Sequence, residues 1–557
     1  MAPSMGVAER LRTVAASMDR ALRLIVAFMA GALWILVVVD YKVFDVLGLR
    51  LLQPYTVRLL LHEASLRDLA VGRTTMVSAL AGIAVLTAAH SFVLALLERR
   101  RKVWTPRISL LMPMVVVILA PLAALGTVGS RPSARFFAKL RAAGKAMSVS
   151  PATAPLSYPA PGLAVPTLER QVSVLVVLVD SLRGDVWGPA LMPELHAMSQ
   201  QLPCLVSANH FSSSHETFGG LFSVLYGLNA YYRPAINSTR TRSWPLAVLH
   251  RNGYHCVAAT ATRLAGHSPS DFWMSQFDIY SEAISHQSYL DDIELVRSLS
   301  AALRTGHLRR PFFAFAFINS THHNYDYAPE FERYLPVLAK DYDHFLGDHK
   351  VAPFRAEIVN RYRNSVLFAD NVVAGLIRDL QDDIERGDVV VAIAGDHGEE
   401  FWDHGLLGHV APHLIDARIR VPFLLFARGV SGSLGRASSH VDILPTVLDI
   451  LHTKPPIDPA SYSDGTSLLE SPSAPERVVV ISAADQELGD LRLALVGRRH
   501  KFQVDVVGVP GQFVLRRVTD LRDNPVSIIE GRRELSGMLP GLERGLFRFV
   551  VQGPPAG

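Results

Sequence analysis

Three long apolar windows near the N-terminus restrict this chain more than any other feature. Leu24 to Val39 has no charge, Thr74 to Leu97 is broken only by His90, and Ser109 to Val128 carries Pro113 and Pro121. A bilayer core about 30 Å thick takes roughly 20 residues of helix, so the second and third windows reach across it, and the first does so if Arg23 extends its head group to the interface. A signal peptide followed by buried core helices is the competing explanation, and three windows so close together argue against it. The chain has 557 residues, of which 49% are hydrophobic, too apolar for an ordinary soluble enzyme. A membrane domain over residues 1–130 is expected, with three transmembrane helices at about 22–39, 74–97 and 109–128.

Basic flanks predict the orientation. Arg10, Arg12, Arg20 and Arg23 precede the first span, and Arg99, Arg100, Arg101, Lys102 and Arg107 lie between the second and third, so both segments should be cytoplasmic. An odd number of spans then puts everything after Val128 outside the cytoplasm. Arg131, Arg135, Lys139, Arg141 and Lys145, interleaved with Phe136, Phe137 and Leu140, suit either a juxtamembrane connector or a short interfacial helix. The stretch "KAMSVSPATAPLSYPAPGLAVP", Lys145 to Pro166, is rich in Pro, Ala and Ser and reads as an extended tether closing a segment over 131–166.

The net charge of +4 comes mostly from these flanks, and no basic-aromatic pattern points to nucleic acid. Cys204 and Cys256 are the two cysteines. One disulfide is chemically possible between them, two core thiols are equally so, and there is no CxxC pattern.

Beyond the tether, apolar runs of strand length recur: "VSVLVVLVD" to Asp180, "HCVAATA" to Ala261, "FFAFAFIN" to Asn319, "VVVAIAG" to Gly395 and "VPFLLFA" to Ala427. Runs without alternation, separated by amphipathic stretches such as Arg361 to Leu380, describe strands covered by helices on both faces. The predicted class is α/β with a mostly parallel central sheet over 167–476. From Arg477 the texture changes to "RVVVISA", "LRLALVG", "KFQVDVV" and "QFVLRRV", which predicts a smaller antiparallel subdomain over 477–557.

In open α/β sheets ligands bind beyond the carboxyl ends of strands. Residues straight after the apolar runs are therefore the first candidates: Asp180, His322 and His323, Asp396 and His397, then His404 and His409. Asp and His at strand ends are hard-to-borderline ligands suited to Zn2+, Mn2+ or Mg2+. Each carboxylate taken singly can equally be a helix cap. For a nucleophile, "NHFSSSHETFGGLFSVLYGL" offers Ser212, Ser213, Ser214 and Thr217 ahead of a helix-like run, where the dipole polarises a hydroxyl. Position alone does not choose among the four.

The stretches "VVLVDSLRGD", "SSSHETFGGLFSVLYG", "INSTHHNYDY", "RYRNSVLFADNVVAGLI", "AIAGDHGEEFWDHGLLGH", "RVPFLLFARG" and "HVDILPTVLDIL" resemble, in order and spacing, the sulfatase-like branch of the alkaline phosphatase superfamily. With the N-terminal spans the pattern is similar to membrane-anchored phosphotransferases: lipoteichoic acid synthases, lipid A phosphoethanolamine transferases, and above all the YejM type of inner-membrane protein. The resemblance implies an alkaline-phosphatase-like fold on the bacterial inner membrane, multi-pass, with a periplasmic catalytic domain. It assigns Asp180, Thr217, Asp396 and His397 to one divalent metal, zinc or manganese first, with a second metal also compatible. Thr217 matches the nucleophile. His322 matches a histidine contacting the substrate phosphate, though Asn324 stands where proline is usual. His409 matches a second phosphate contact or a ligand of a second metal, and His215, beside Ser214 where Gly and Asn are usual, approaches the phosphate or faces solvent.

No Cys/Ser-x-Pro-x-Arg segment of the kind that matures to formylglycine surrounds Thr217, which argues against sulfate-ester hydrolysis. The expected activity is transfer or hydrolysis of phosphoglycerol- or phosphoethanolamine-type groups, with membrane lipids or envelope glycan and lipid phosphate esters as partners. A non-catalytic envelope regulator binding anionic lipid or a protein partner is the alternative. His323 and His404 are read as solvated loop histidines, and Glu399, Glu400 and Asp403 as orienting the ligands or solvated.

Overall fold

The computed structural model describes residues 156–264, 268–285, 288–339, 352–409, 413–469, 478–483, 490–507 and 512–550, all within one compact unit. The three predicted spans lie outside these residues, and among the described ones no helix is long and apolar enough to cross a membrane.

A nine-stranded sheet carries the fold. Its strands are β1 (Ser173–Val179), β2 (Cys204–Phe211), β3 (His255–Thr260), β4 (Ile279–Glu282), β5 (Phe312–Ile318), β6 (Val389–Gly395), β7 (Arg420–Phe426) and the two-residue β8 (Gly432–Ser433) and β9 (Ser438–Ser439). The spatial order is β8-β2-β7-β6-β1-β5-β3-β4, with β9 also on β2. Every residue of β1, β5 and β6 is buried, which is why these segments read as unbroken apolar runs. Burying each Val, Leu or Phe contributes about 1.5–3 kcal/mol.

The sheet is mixed. β7 runs antiparallel to both neighbours, β2 and β6, whereas β1, β3, β4, β5 and β6 are mutually parallel. A strand buried on both faces shows no alternation, so the sequence of β7 carries no sign of its direction. β2 has no apolar run at all: Ser207, Asn209 and His210 interrupt it, and Ser207 Oγ and His210 Nδ1 both meet the Ser438 hydroxyl.

Helices cover both faces. They include α1 (Pro193–Gln201), α2 (Thr217–Tyr226), α3 (Trp244–Arg251), α4 (Ser288–Thr305), α5 (Arg355–Arg386) and α6 (Ile443–Ile450). At 32 residues α5 is about 48 Å long. It buries Ile358, Tyr362, Val366, Val373, Ile377, Leu380 and Ile384 along one stripe and ends at Gly387, whose φ of 84° suits glycine. Near its middle Asp370 accepts the backbone N–H groups of Glu194 (2.8 Å) and Leu195 (3.0 Å), so one helix caps the start of α1.

The C-terminal segment forms a four-stranded antiparallel sheet, β10 (Val479–Ser482), β11 (Asp490–Val496), β12 (His500–Val507) and β13 (Gln512–Asp520), in sequence order. It is followed by α7 (Ile528–Gly545), which the alternating pattern did not announce. Leu491, Leu493, Leu495, Phe502 and Val504 belong to the same hydrophobic cluster as Val174, Phe313 and Phe423, so the two sheets share a core. The end of the proline-rich stretch read as a tether also packs here. Tyr158 is buried against Tyr226 and Phe549, Ser157 N–H donates to the Phe549 carbonyl at 2.8 Å, and Leu156 bridges to Val550. Cys204 on β2 and Cys256 on β3 are free thiols separated by four intervening strands.

Candidate active site

Register places the two strand-end carboxylates side by side. Val179 of β1 pairs with Gly395 of β6, and the next residues are Asp180 and Asp396. Both are held by one further ladder bond, Asp180 N–H to the Ile318 carbonyl (2.9 Å) and Asp396 N–H to the Val179 carbonyl (3.1 Å). Ser181 then turns into the left-handed region at φ 57°, uncommon for a residue with a Cβ. The turn directs its backbone N–H onto Asp396 Oδ1 (2.9 Å) and its hydroxyl onto Asp180 Oδ1 (3.0 Å). His397 N–H also donates to Asp396 Oδ1 (2.6 Å), while Asp396 Oδ2 is buried without a hydrogen-bond partner.

His397 is oriented by its own neighbour. Its Nδ1 lies 2.8 Å from the Gly398 carbonyl, an acceptor only, so Nδ1 carries the proton and Nε2 presents its lone pair. That Nε2 faces Asp180 Oδ1 at 3.7 Å, Asp396 Oδ2 at 3.5 Å and Thr217 Oγ1 at 3.1 Å. Ligand atoms of Asp180, Asp396 and His397 all lie within 4.8 Å of one another. Burial raises both carboxyls well above the usual range. The neighbouring Asp396 charge adds to this for Asp180, and the Ser181 and His397 N–H groups oppose it for Asp396. Two buried carboxylates, an imidazole lone pair and an unbonded oxygen together fit a divalent cation.

Thr217 is the first residue of α2. The preceding Glu216 caps the helix by accepting from Phe218 N–H (3.1 Å) and Gly219 N–H (2.8 Å), and is itself paired with Arg233 at 2.8 Å. Helix and strand end meet closely because of the "GG" that follows. A Cβ on Gly220 would overlap the Asp396 carbonyl oxygen, and one on Gly219 would overlap Ser214. Ser212 Oγ also donates to the Asp396 carbonyl at 2.5 Å, fastening the loop before α2 to the same residue. Of the four candidate hydroxyls, Thr217 is the one in contact with His397, whereas Ser213 bonds Ser439.

The remaining histidines gather around this pair of strands. The His409 ring lies 4.3 Å from that of His397 and 5.3 Å from that of His322. His409 Nδ1 contacts Glu399 Oε2 at 2.7 Å, and His322 Nδ1 donates to the His323 carbonyl at 3.0 Å. The Thr321 hydroxyl donates to the Asp180 carbonyl, tying the His322 loop to β1. His215 is buried, with Nδ1 unbonded. Burial, then Arg418 and His397, hold it well below the usual imidazole range. Asp180, Thr217, Asp396, His397, His322, His409 and His215 therefore come to one end of the sheet. His404 is exposed, and Asp403 pairs with Arg183 at 2.8 Å.

Two charged residues were undervalued in the sequence. Glu399 is fully buried against His409, with Oε1 unbonded. Arg418 is fully buried and reaches Glu400 with Nη2 at 2.6 Å. The crowded acids of "GDHGEE" hinted at the first. Nothing in "DARIRVPF" marks Arg418, since arginine is rarely buried unless paired.

Residues 173–453, just over half of the chain, match the family model named Sulfatase. The chain belongs to the sulfatase family. The inner membrane protein YejM of Salmonella typhimurium is 22% identical over 348 residues, covering 60% of this chain and 50% of YejM. An uncharacterized Haemophilus influenzae protein is 24% identical over 160 residues, 29% of this chain and 26% of that one. This family member thus spans half or less of the length of these curated relatives. Among solved structures, the phosphonate monoester hydrolase SpPMH from Silicibacter pomeroyi superposes with a TM-score of 0.50 at 16% identity, covering 68% of this chain and 96% of its own. BT4656, bound to its substrate D-glucosamine-2-N,6-O-disulfate, gives 0.51 at 11% identity, covering 68% and 98%. At these identities the likeness is one of fold.

Proposed function

We propose that this sulfatase-family chain is a membrane-anchored, metal-dependent phosphoryl-group transferase or phosphoester hydrolase. Its substrate is an envelope or lipid phosphate ester of phosphoglycerol or phosphoethanolamine type, and Thr217 is its nucleophile. The observation that carries the reading is the Thr217 hydroxyl at the start of α2, 3.1 Å from His397 Nε2 and beside two buried carboxylates, one with an unbonded oxygen. SpPMH, by name a phosphonate monoester hydrolase, shares the fold, which makes phosphorus-ester chemistry compatible with it. YejM, by name an inner membrane protein, makes a membrane domain over 1–130 compatible; the proposal adds a connector over 131–166, a catalytic domain over 167–476 and a C-terminal subdomain over 477–557, the last two outside the cytoplasm.

Asp180, Asp396, His397 and Thr217 would hold the cation, zinc or manganese. When bound it supplies positive charge that balances the carboxylates, acidifies the hydroxyl and neutralises charge developing on phosphate oxygens. Thr217 Oγ1 forms the bond to phosphorus as the bond to the leaving alcohol breaks, and the helix dipole of α2 favours the developing negative charge. His322 and His409 hold phosphate oxygens or hand a proton to the leaving alcohol. Glu399 orients His409, and His215, kept neutral, lines the pocket. Water or an acceptor hydroxyl then attacks the phospho-threonine and returns Thr217 to its starting state.

The test is Thr217→Ala assayed on a phosphodiester lipid analogue, with bound metal measured in parallel. Loss of turnover with metal retained is expected. A variant as active as the wild type overturns the assignment. A wild-type protein that binds metal but turns over no phosphoester overturns it in favour of the non-catalytic envelope regulator.

A further inference from the structure

A second cluster of metal-capable side chains lies at the opposite end of the sheet. Ligand atoms of His250, Cys256 and Asp278 all fall within 4.8 Å of one another. His250 is in the last turn of α3, Cys256 is the second residue of β3, and Asp278 directly precedes β4. Because β3 runs parallel to β5, and β5 to β1, the amino end of β3 is remote from the carboxyl ends that carry Asp180 and Asp396. These residues therefore cannot serve the catalytic centre directly.

Two of the three, His250 and Asp278, are already oriented as ligands would be. The His250 Nε2 sits 2.8 Å from the Gln276 carbonyl, which can only accept, so Nε2 carries the proton and Nδ1 the lone pair. This is how metal-binding histidines are commonly fixed, through the ring nitrogen that does not bind. Gln276 is in turn anchored by Ser243 N–H on its Oε1 (2.8 Å) and by donation to the Tyr226 hydroxyl (2.9 Å), so the carbonyl is a firm support. Asp278 Oδ2 accepts Cys256 N–H at 2.8 Å, which leaves Oδ1 facing His250 Nδ1 at 3.8 Å. Ligands about 2.0–2.3 Å from a tetrahedral ion sit close to such a separation from one another. Cys256 Sγ–H donates only a long bond, 3.8 Å, to the Tyr254 carbonyl. His250 and Asp278 are 31% and 44% exposed while the thiol is buried, so an ion would enter from solvent and keep one position open to water.

We propose that His250 Nδ1, Cys256 Sγ and Asp278 Oδ1 form an accessory site for a borderline-soft divalent ion of the zinc class, pinning α3, β3 and β4 together at the sheet edge. Binding replaces the Cys256 S–H bond with a sulfur–metal bond and releases one proton to solvent. A mixed Cys/His/Asp set favours zinc over magnesium or calcium, which take oxygen ligands.

Cobalt(II) is the probe, because a thiolate on cobalt gives a near-ultraviolet charge-transfer band that the catalytic cluster, which contains no cysteine, cannot produce. The full chain, stripped of metal with a chelator, is titrated with Co2+. The band should saturate by two equivalents, since the catalytic cluster takes an ion of its own, persist in Cys204→Ser and vanish in Cys256→Ser. Asp278→Asn, a change at a half-exposed side chain that spares the core, should weaken the Co2+ affinity read from the band by about tenfold or more. No band in the wild type, a band that follows Cys204, or an unchanged affinity in Asp278→Asn overturns the site. Thr217→Ala should leave the band untouched, so this site and the proposed activity stand or fall separately.

Discussion

Four buried aspartates in this molecule look alike by burial and behave differently by bonding. Asp292 and Asp370 place both oxygens on backbone N–H groups: Asn319 (2.8 Å) and Ser320 (2.9 Å) for the first, Glu194 (2.8 Å) and Leu195 (3.0 Å) for the second. Asp396 concentrates two N–H bonds on Oδ1 and leaves Oδ2 unbonded, while its neighbour Asp180 accepts the Ser181 hydroxyl on Oδ1. A carboxylate that serves the fold is saturated by the fold. Asp396, proposed above to hold a cation, keeps an oxygen in reserve, and burial raises the proton affinity of saturated and unsaturated members alike.

That contrast can be broken by substitution. The largest effect is expected at the unsaturated member: Asp396→Asn should lower phosphoester turnover by about 10^2–10^3-fold or more and abolish metal binding at the catalytic cluster. In chelator it should unfold at nearly the wild-type temperature, since Oδ2 contributes no hydrogen bond to lose. A melt several degrees lower would show that Asp396 is structural after all. Next in size is Gly220→Ala, whose Cβ meets the Asp396 carbonyl oxygen. It should shift α2 and cost about 10^2-fold in kcat with metal content preserved, which steady-state kinetics and elemental analysis would check together.

The saturated member should respond in the opposite way. Asp292→Ala strands two buried N–H donors at about 1–3 kcal/mol each, so urea denaturation should show a clear loss of stability while metal stoichiometry is unchanged. The smallest effect is one of pH. Burial pushes the Asp292 carboxyl up to about 7 despite its two N–H bonds, so the folded protein holds a proton that the unfolded chain releases near pH 4. Its contribution is fully present below that value and lost as pH rises through about 7, so stability should fall across this window. Asp292→Asn should flatten that part of the profile, and an unaltered slope would assign the proton elsewhere.

The parts of the fold that were legible in the sequence are those where one physical signal dominates. β1, β5 and β6 are buried on both faces, so their apolar runs declared themselves within a residue or two, and β10 to β13 alternate because the antiparallel sheet has two unlike faces. β2 was missed because Ser207 and His210 obtain partners from Ser438, a residue 228 positions beyond His210, and no local pattern encodes a distant partner. The same reason hid Arg418, acceptable in the interior only because Glu400 meets it there. For the candidate site, position after a strand put forward Asp180, Asp396 and His397 together with His322, His323, His404 and His409, of which the structure leaves His404 exposed. Thr217 needed the resemblance, since Ser212, Ser213 and Ser214 offer the same hydroxyl within five residues, and only the three-dimensional path of the chain turns one of them toward His397.

The bridge from Leu156 to Val550 has a mechanical meaning. It holds two segments far apart in the sequence side by side, so a force on one loads the other as well, through the bridge, the Ser157–Phe549 hydrogen bond and the Tyr158–Phe549 ring contact.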